Sequence, residues 1–328
     1  MKKNTQFDVV ALGEMLIDFT ETGFSNQGNP LLEANPGGAP CNVLAILTKL
    51  GYKTSFIGKV GDDIFGNQLE EAIRKVGINT AGLIKDKKQN TTLAFVHNDP
   101  DGDRSFSFYR NPGADMMLAE DELNKELLEN TKIFHFGSLS LTNEPCRTAT
   151  KKAIEIAKSN QAIISFDPNL RELLWENLDI AKEQIHYGMN QCDILKISDN
   201  ELVWFTGFEE YQEGIKYLQN HYPNIKLILF SLGKDGSMGI TRKVSVKQSA
   251  FLAMKTIDTT GAGDTFYGTC LSFIIKYLQD DVSLENLSEN QLIEMLRFAN
   301  GAAAIITTKK GALMVMPSKS DIENLIEK

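Results

Sequence analysis

Hydrophobic and polar positions along the chain switch between two spacings. Residues 7–12, Phe-Asp-Val-Val-Ala-Leu, form a short apolar run ending at Gly13, the pattern of a buried strand. Residues 91–97 and 105–110 are also strand-like; in the second, Phe106 and Phe108 alternate with Ser105, Ser107 and Tyr109, so one face is apolar. Asn98-Asp99-Pro100-Asp101-Gly102-Asp103 between them is a turn signal. This hairpin is expected outside the main sheet, where segments 18–34 and 91–112 would make a small β lid. A helix is predicted from about Asn42 to Leu50, stopped by Gly51.

From Lys132 onward, strands at 133–136, 162–166, 194–197 and 227–230 alternate with helices, one over 144–159 and one carrying Glu201. That alternation predicts an α/β fold: a doubly wound, mostly parallel sheet with helices on both faces. No linker or repeat interrupts it, so residues 1–328 read as a single domain. In open sheets of this kind ligands bind beyond the carboxyl ends of the strands, which is where the polar motifs fall.

The densest of these is Asp258-Thr259-Thr260-Gly261-Ala262-Gly263-Asp264, followed at once by residues apolar around nearly the whole turn, the mark of a buried helix. A small-residue loop feeding a helix start offers unpaired N–H groups and the positive end of the dipole, and both favour an anion. Gly261, Ala262 and Gly263 keep little side chain between that anion and the backbone. Asp264 is out of place for anion binding alone, but phosphoryl transfer needs a group to take the proton of the attacking hydroxyl. The dipole and loop amides are expected to hold Asp264 ionised. A plain alternative is an Asp that caps the helix.

Composition narrows the classes. A net charge of −9 argues against a nucleic-acid surface. The four cysteines and four histidines are scattered without metal-ligand spacing. Two lysines near the start have no apolar run behind them, and no stretch is long enough for a membrane span, so a cytoplasmic protein is expected. Gly13 is followed by Glu14-Met15-Leu16 rather than a dinucleotide fingerprint, and Ser231-Leu232-Gly233-Lys234-Asp235-Gly236 is not a P-loop.

Together with Asn35-Pro36-Gly37-Gly38-Ala39-Pro40-Cys41-Asn42, Gly58-Lys59-Val60-Gly61-Asp62-Asp63 and Gly66, the 258–264 loop resembles the ribokinase/PfkB family of carbohydrate kinases, over Val9 to Pro317. Ser-Phe-Tyr-Arg-Asn-Pro-Gly-Ala-Asp, residues 107–115, is similar to its fructokinase branch. The resemblance implies an ATP-dependent sugar kinase, fructose to fructose 6-phosphate, with Asp264 as base, Gly261, Ala262 and Gly263 as anion hole and Arg171 on the transferred phosphoryl. It implies sugar contacts from Asp18, Gly37, Gly38, Asn42, Asn169 and, from the lid, Arg110. It places ATP against Lys196, Ser231, Gly233, Gly236 and Asn300, with Mg²⁺ organised through water by Glu201 and a K⁺ site at Asp258 and Thr260. Ser198 stands where the family's Asn-x-x-Glu motif usually has Asn. Other kinases of this fold, acting on 2-keto-3-deoxygluconate, tagatose 6-phosphate or a nucleoside, and a non-catalytic sugar sensor are the alternatives. The expected partners are a small sugar and ATP, with a homodimer through the lid, and no nucleic acid or membrane.

Overall fold

A computed structural model describes residues 5–98, 104–252 and 255–327. In chain order the strands are β1 (Phe7–Leu12), β2 (Leu16–Phe24), β3 (Pro30–Gly37), β4 (Thr54–Gly61), β5 (Asn79–Asp86), β6 (Leu93–Asn98), β7 (Arg104–Tyr109), β8 (Thr131–Gly137), β9 (Ile163–Asp167), β10 (Ile194–Ser198), β11 (Leu227–Ser231), β12 (Ser237–Ile240) and β13 (Ser245–Gln248). The helices are α1 (Ala39–Lys49), α2 (Ile64–Val76), α3 (Lys125–Glu129), α4 (Cys146–Ser159), α5 (Leu178–Gln191), α6 (Asp199–Thr206), α7 (Tyr211–His221), α8 (Ala262–Gln279), α9 (Glu289–Ile306) and α10 (Lys319–Ile326).

Nine strands form one sheet in the order β13-β12-β11-β10-β9-β8-β1-β4-β5. The pairings from β5 across to β11 are parallel, and β12 and β13 add antiparallel at one edge. The pleat sorts side chains to two cores: Val9 and Ala11 of β1 join the apolar cluster that includes α1, α8 and α9, while Val10 and Leu12 join the cluster that includes α4, α5 and α7. Both faces are therefore covered, which is why the central strands are mostly apolar on both faces, with polar exceptions such as His135, Ser165 and Lys196.

The second sheet has four strands in the order β3-β2-β6-β7. Its strands run past the expected segments, to Leu16 at one end and Gly37 at the other, so the small sheet is rooted next to the large one. The turn through 99–103 and the side chain of Phe106 lie outside the described residues. Helix α1 begins at Ala39 rather than Asn42, because Gly38 is the N-cap and Pro40 is accommodated in the first turn. Among the described residues no helix is long and apolar enough to cross a membrane.

Candidate active site

One cleft of about 650 Å³ lies between the two sheets, at the carboxyl ends of β9, β10 and β11. Its walls hold every residue singled out from the sequence except Arg110 and Glu201. The two sheets, strands far apart in the chain and the start of α8 meet there.

Asp264 stands at the centre. The N-cap of α8 is Gly261, at φ 75°, so Asp264 is the third helical residue and is not the cap. Its Oδ2 accepts a 2.8 Å hydrogen bond from Asn42 Nδ2 on α1. Gly261 is needed twice over: its backbone is left-handed, and a Cβ there would sit 2.5 Å from Ala312 Cβ. Burial raises the Asp264 carboxyl above its ordinary value, opposed by the Asn42 hydrogen bond and by Lys196 and Arg171. The helix dipole alone would give the reverse direction; desolvation is the larger effect. The other half of the Asn42 amide, Oδ1, is buried with no hydrogen-bond partner. A buried orphan acceptor beside a carboxylate is a fitting receptor for a hydroxyl-bearing ligand.

Lys196 supplies fixed positive charge. Its Nζ lies 3.0 Å from Asp167 Oδ2 and 3.6 Å from where a Cβ on Gly263 would be, so the ammonium overlooks the glycine loop. Burial works against its charge, but Asp167, Glu201 and Asp264 together push its pKa up, and it stays cationic. Arg171 is exposed on the same wall, with Nη1 donating to Leu170 O at 3.1 Å. Asn169 beside it takes a left-handed φ of 41° as the chain leaves β9.

Asp18 and Gly37 face each other across β2 and β3, and any side chain at 37 would collide with the Asp18 carboxylate. Burial raises Asp18 to about 7, with Arg171 opposing and Asp258 and Asp264 adding to the rise. Gly38 lines the wall beside it. Farther along the cleft, Ser231, Gly233 and Gly236 form the turn between β11 and β12. Asn300 reaches this wall with its amide already engaged: it donates to Gln248 O and Ser249 O and accepts from Ser237 Oγ. Asp258 accepts from Thr260 N and Oγ1 and from Gly311 N, which ties the loop before α8 to the segment after α9.

These positions correct one expectation, for Arg110, and set Glu201 off the cleft wall. Arg110 does not face the cleft. Strand β7 ends at Tyr109, and Arg110 turns inward to pair with Asp115 at 2.7 Å, its side chain 3% exposed. Glu201 is not on the cleft wall. It closes a capping box with Ser198 at the start of α6, Oε2 accepting from Ser198 N and Oγ, and its Oε1 accepts from Leu170 N. Burial raises its carboxyl, but Lys196 and these hydrogen bonds outweigh that and hold it below the usual range.

Sequence reasoning passed over Glu14 and Leu139, which line the cleft, and gave Val96 and Phe108 no part in it. Glu14 is buried, with Oε1 accepting from Ala39 N at 2.9 Å, and burial lifts it to about 7. Its place directly after β1, where a carboxyl-end loop begins, was the available signal.

An acidic cleft with an amide-lined helix start, the cations Arg171, Lys196 and Lys310 and a half-buried carboxylate suits phosphoryl transfer to a hydroxyl. The chain matches the model of the pfkB family carbohydrate kinases over residues 6–319 and belongs to that family. Fructokinase-1 of Zea mays is 44% identical over 322 residues, spanning 98% of this chain and 98% of that protein. A fructokinase from Xylella fastidiosa with bound ATP has the same fold at TM-score 0.87 and 28% identity, covering 97% of this chain and 98% of its own. A fructokinase double mutant from Vibrio cholerae O395, bound to fructose, ADP and a potassium ion, has TM-score 0.85 and 28% identity, covering 99% and 100%.

Proposed function

We propose that the protein is an ATP-dependent fructokinase that phosphorylates the primary 6-hydroxyl of fructose. The observation carrying this reading is Asp264, a half-buried carboxylate directly after a Gly-Ala-Gly helix start, held by Asn42 and overlooked by Lys196. The fructose named with the Vibrio relative and the fructokinases among the relatives supply the sugar.

In this reading the sugar lies against Asp18, Asn42 and Asn169, between the small sheet and the strand ends. Asp264 takes the hydroxyl proton as the oxygen bonds to phosphorus. The Gly261, Ala262 and Gly263 amides and Arg171 share the charge on the transferring group, so catalysis is chiefly positioning and electrostatics. ATP runs across Gly233, Gly236 and Ser231 with Lys196 near its phosphates, while Asn300 shapes the wall rather than reading the base.

Among the described residues no group of three or more His, Cys, Asp or Glu side chains could cage a metal. That suits Mg²⁺ carried in on the phosphates, which keeps several waters and neutralises charge there; Glu201 would act on it through water. Asp258 and Thr260 would border a K⁺ site; the Vibrio relative is bound to a potassium ion. Equal rates in K⁺ and in a Na⁺-free tetramethylammonium buffer would remove that site. We place the enzyme in the cytoplasm, in keeping with its four buried free cysteines; fractionation of the source cells checks this.

A coupled assay of ATP turnover on a panel of sugars tests the main reading. Fructose should give the highest kcat/KM among fructose, glucose, ribose, adenosine and 2-keto-3-deoxygluconate. A higher value for any of the other four would reassign the substrate, and binding without turnover would make the protein a sensor.

A further inference from the structure

Hairpin β6–β7 contributes Val96 and Phe108 to the cleft. It leaves the body of the molecule after Thr92 and returns at Arg110. One residue outside the cleft joins both points. Asp115, 3% exposed, takes Thr92 Oγ1 on Oδ1, and Arg110 Nε on Oδ2 at 2.7 Å. Arg110 spends its remaining donors on Thr142 Oγ1 at 3.0 Å and Leu139 O at 3.1 Å. Leu139 is part of the cleft wall. Backbone bonds tighten the same knot: Ile17 N donates to Thr92 O at 3.1 Å, bringing in the root of β2, and Ala114 N donates to Asn90 O at 2.9 Å.

We propose that Asp115 is a positioning residue for the sugar: a single buried carboxylate pins both roots of the β6–β7 hairpin and, through Arg110, fixes Leu139 on the opposite wall. The proposal rests on the fructokinase reading for its substrate. The hairpin is paired along β6 with β2, so the four-stranded sheet pivots as a unit about its strand roots, and tying the roots of β6 and β7 to one carboxylate restricts that motion. Val96 and Phe108 then meet the sugar from a preset direction, so less ordering is left for binding to offset. The ion pair is shielded from water and charge-assisted, which makes it a stiff joint rather than a surface contact. Arg110 thereby acts on the sugar without touching it.

Two variants test this. Thr92→Val cuts the β6 root and leaves the Asp115–Arg110 pair. Asp115→Asn keeps an acceptor for Thr92 and removes the charge facing Arg110. Each should raise the fructose KM roughly tenfold, about what a buried charge-assisted hydrogen bond is worth. The ATP KM and kcat should move less than about twofold, since the phosphoryl-transfer groups are untouched. Amide exchange should quicken in β6 and β7 and stay unchanged in β8 to β11. An unchanged fructose KM in both variants overturns the proposal. Exchange that quickens equally through β8 to β11, with a lowered Tm, also overturns it, because Asp115 is then an ordinary support of the core. If the unaltered enzyme does not phosphorylate fructose, the functional reading fails instead. The exchange comparison alone then decides the clamp: quickening confined to β6 and β7 upholds it, and uniform or absent quickening refutes it.

Discussion

Asp264 is the side chain on which the proposed chemistry turns, and its surroundings separate two roles that the sequence left entangled. Since Gly261 caps α8, Asp264→Asn removes no cap. The new amide can still accept from Asn42, so Tm and both dissociation constants should stay near those of the parent. kcat should fall by ~10²–10⁴, the usual loss for a general base. A variant retaining about a tenth of the parent kcat, well above that range, would place the base elsewhere. Glu14 allows a test by pH. Its carboxyl is raised by burial from an ordinary 4.5 to about 7. The folded state therefore holds a proton that the unfolded chain has already released, and stability falls as pH rises from about 4.5 to about 7. Glu14→Gln, which can still accept from Ala39 N, should match the parent Tm near pH 4 and exceed it at pH 8. Parallel Tm curves across that range would mean that Glu14 titrates normally. Arg110 shows where residue-level reading goes astray. A strand ending one position early turned its side chain from the cleft to Asp115, five residues on, and Arg-Asn-Pro-Gly-Ala-Asp held that partner in plain view.

At the scale of elements, the strands of the large sheet were legible because a strand buried on both faces is largely apolar, as β1 and β11 are. The glycine loop before α8 and the Gly-Gly before α1 were legible because backbone approach and helix starts leave a compositional trace. Leu139 left none, and Glu14 left only its place after β1, since each reaches the cleft through the way β1 and β8 lie side by side. Helix α6 carries an unresolved choice between structure and metal chemistry. Ser198 and Glu201 form a capping box, and Gln serves as well as Glu at that position. Glu201→Gln keeps the capping-box acceptor but turns its NH₂ toward Leu170 N, so Tm should fall modestly, while the Mg²⁺ concentration for half-maximal rate should rise several-fold, roughly the effect of losing one water-mediated contact. An unchanged Mg²⁺ requirement would leave Glu201 as a cap and nothing more.

On the whole-molecule scale, the small sheet presents Phe24, 65% exposed, with Leu31 and Leu32 nearby in β3. Apolar groups clustered at a sheet tip favour a covered state, and we propose a second copy of this chain as the cover. Light scattering should give about twice the 36.5 kDa chain mass, and Phe24→Glu should return it to one. A parent protein that is monomeric at micromolar concentration would dismiss the dimer.

The hydrogen bond from Asn42 to Asp264 joins positions 222 apart in sequence. A ribosome adding ~5–20 residues per second takes roughly ten to forty-five seconds to cover that interval. On the reading of Asp264 as the base, the emerging chain lacks that group throughout this time, so it should spend no nucleotide before it is nearly finished, and a chain cut short of residue 264 should show no kinase activity.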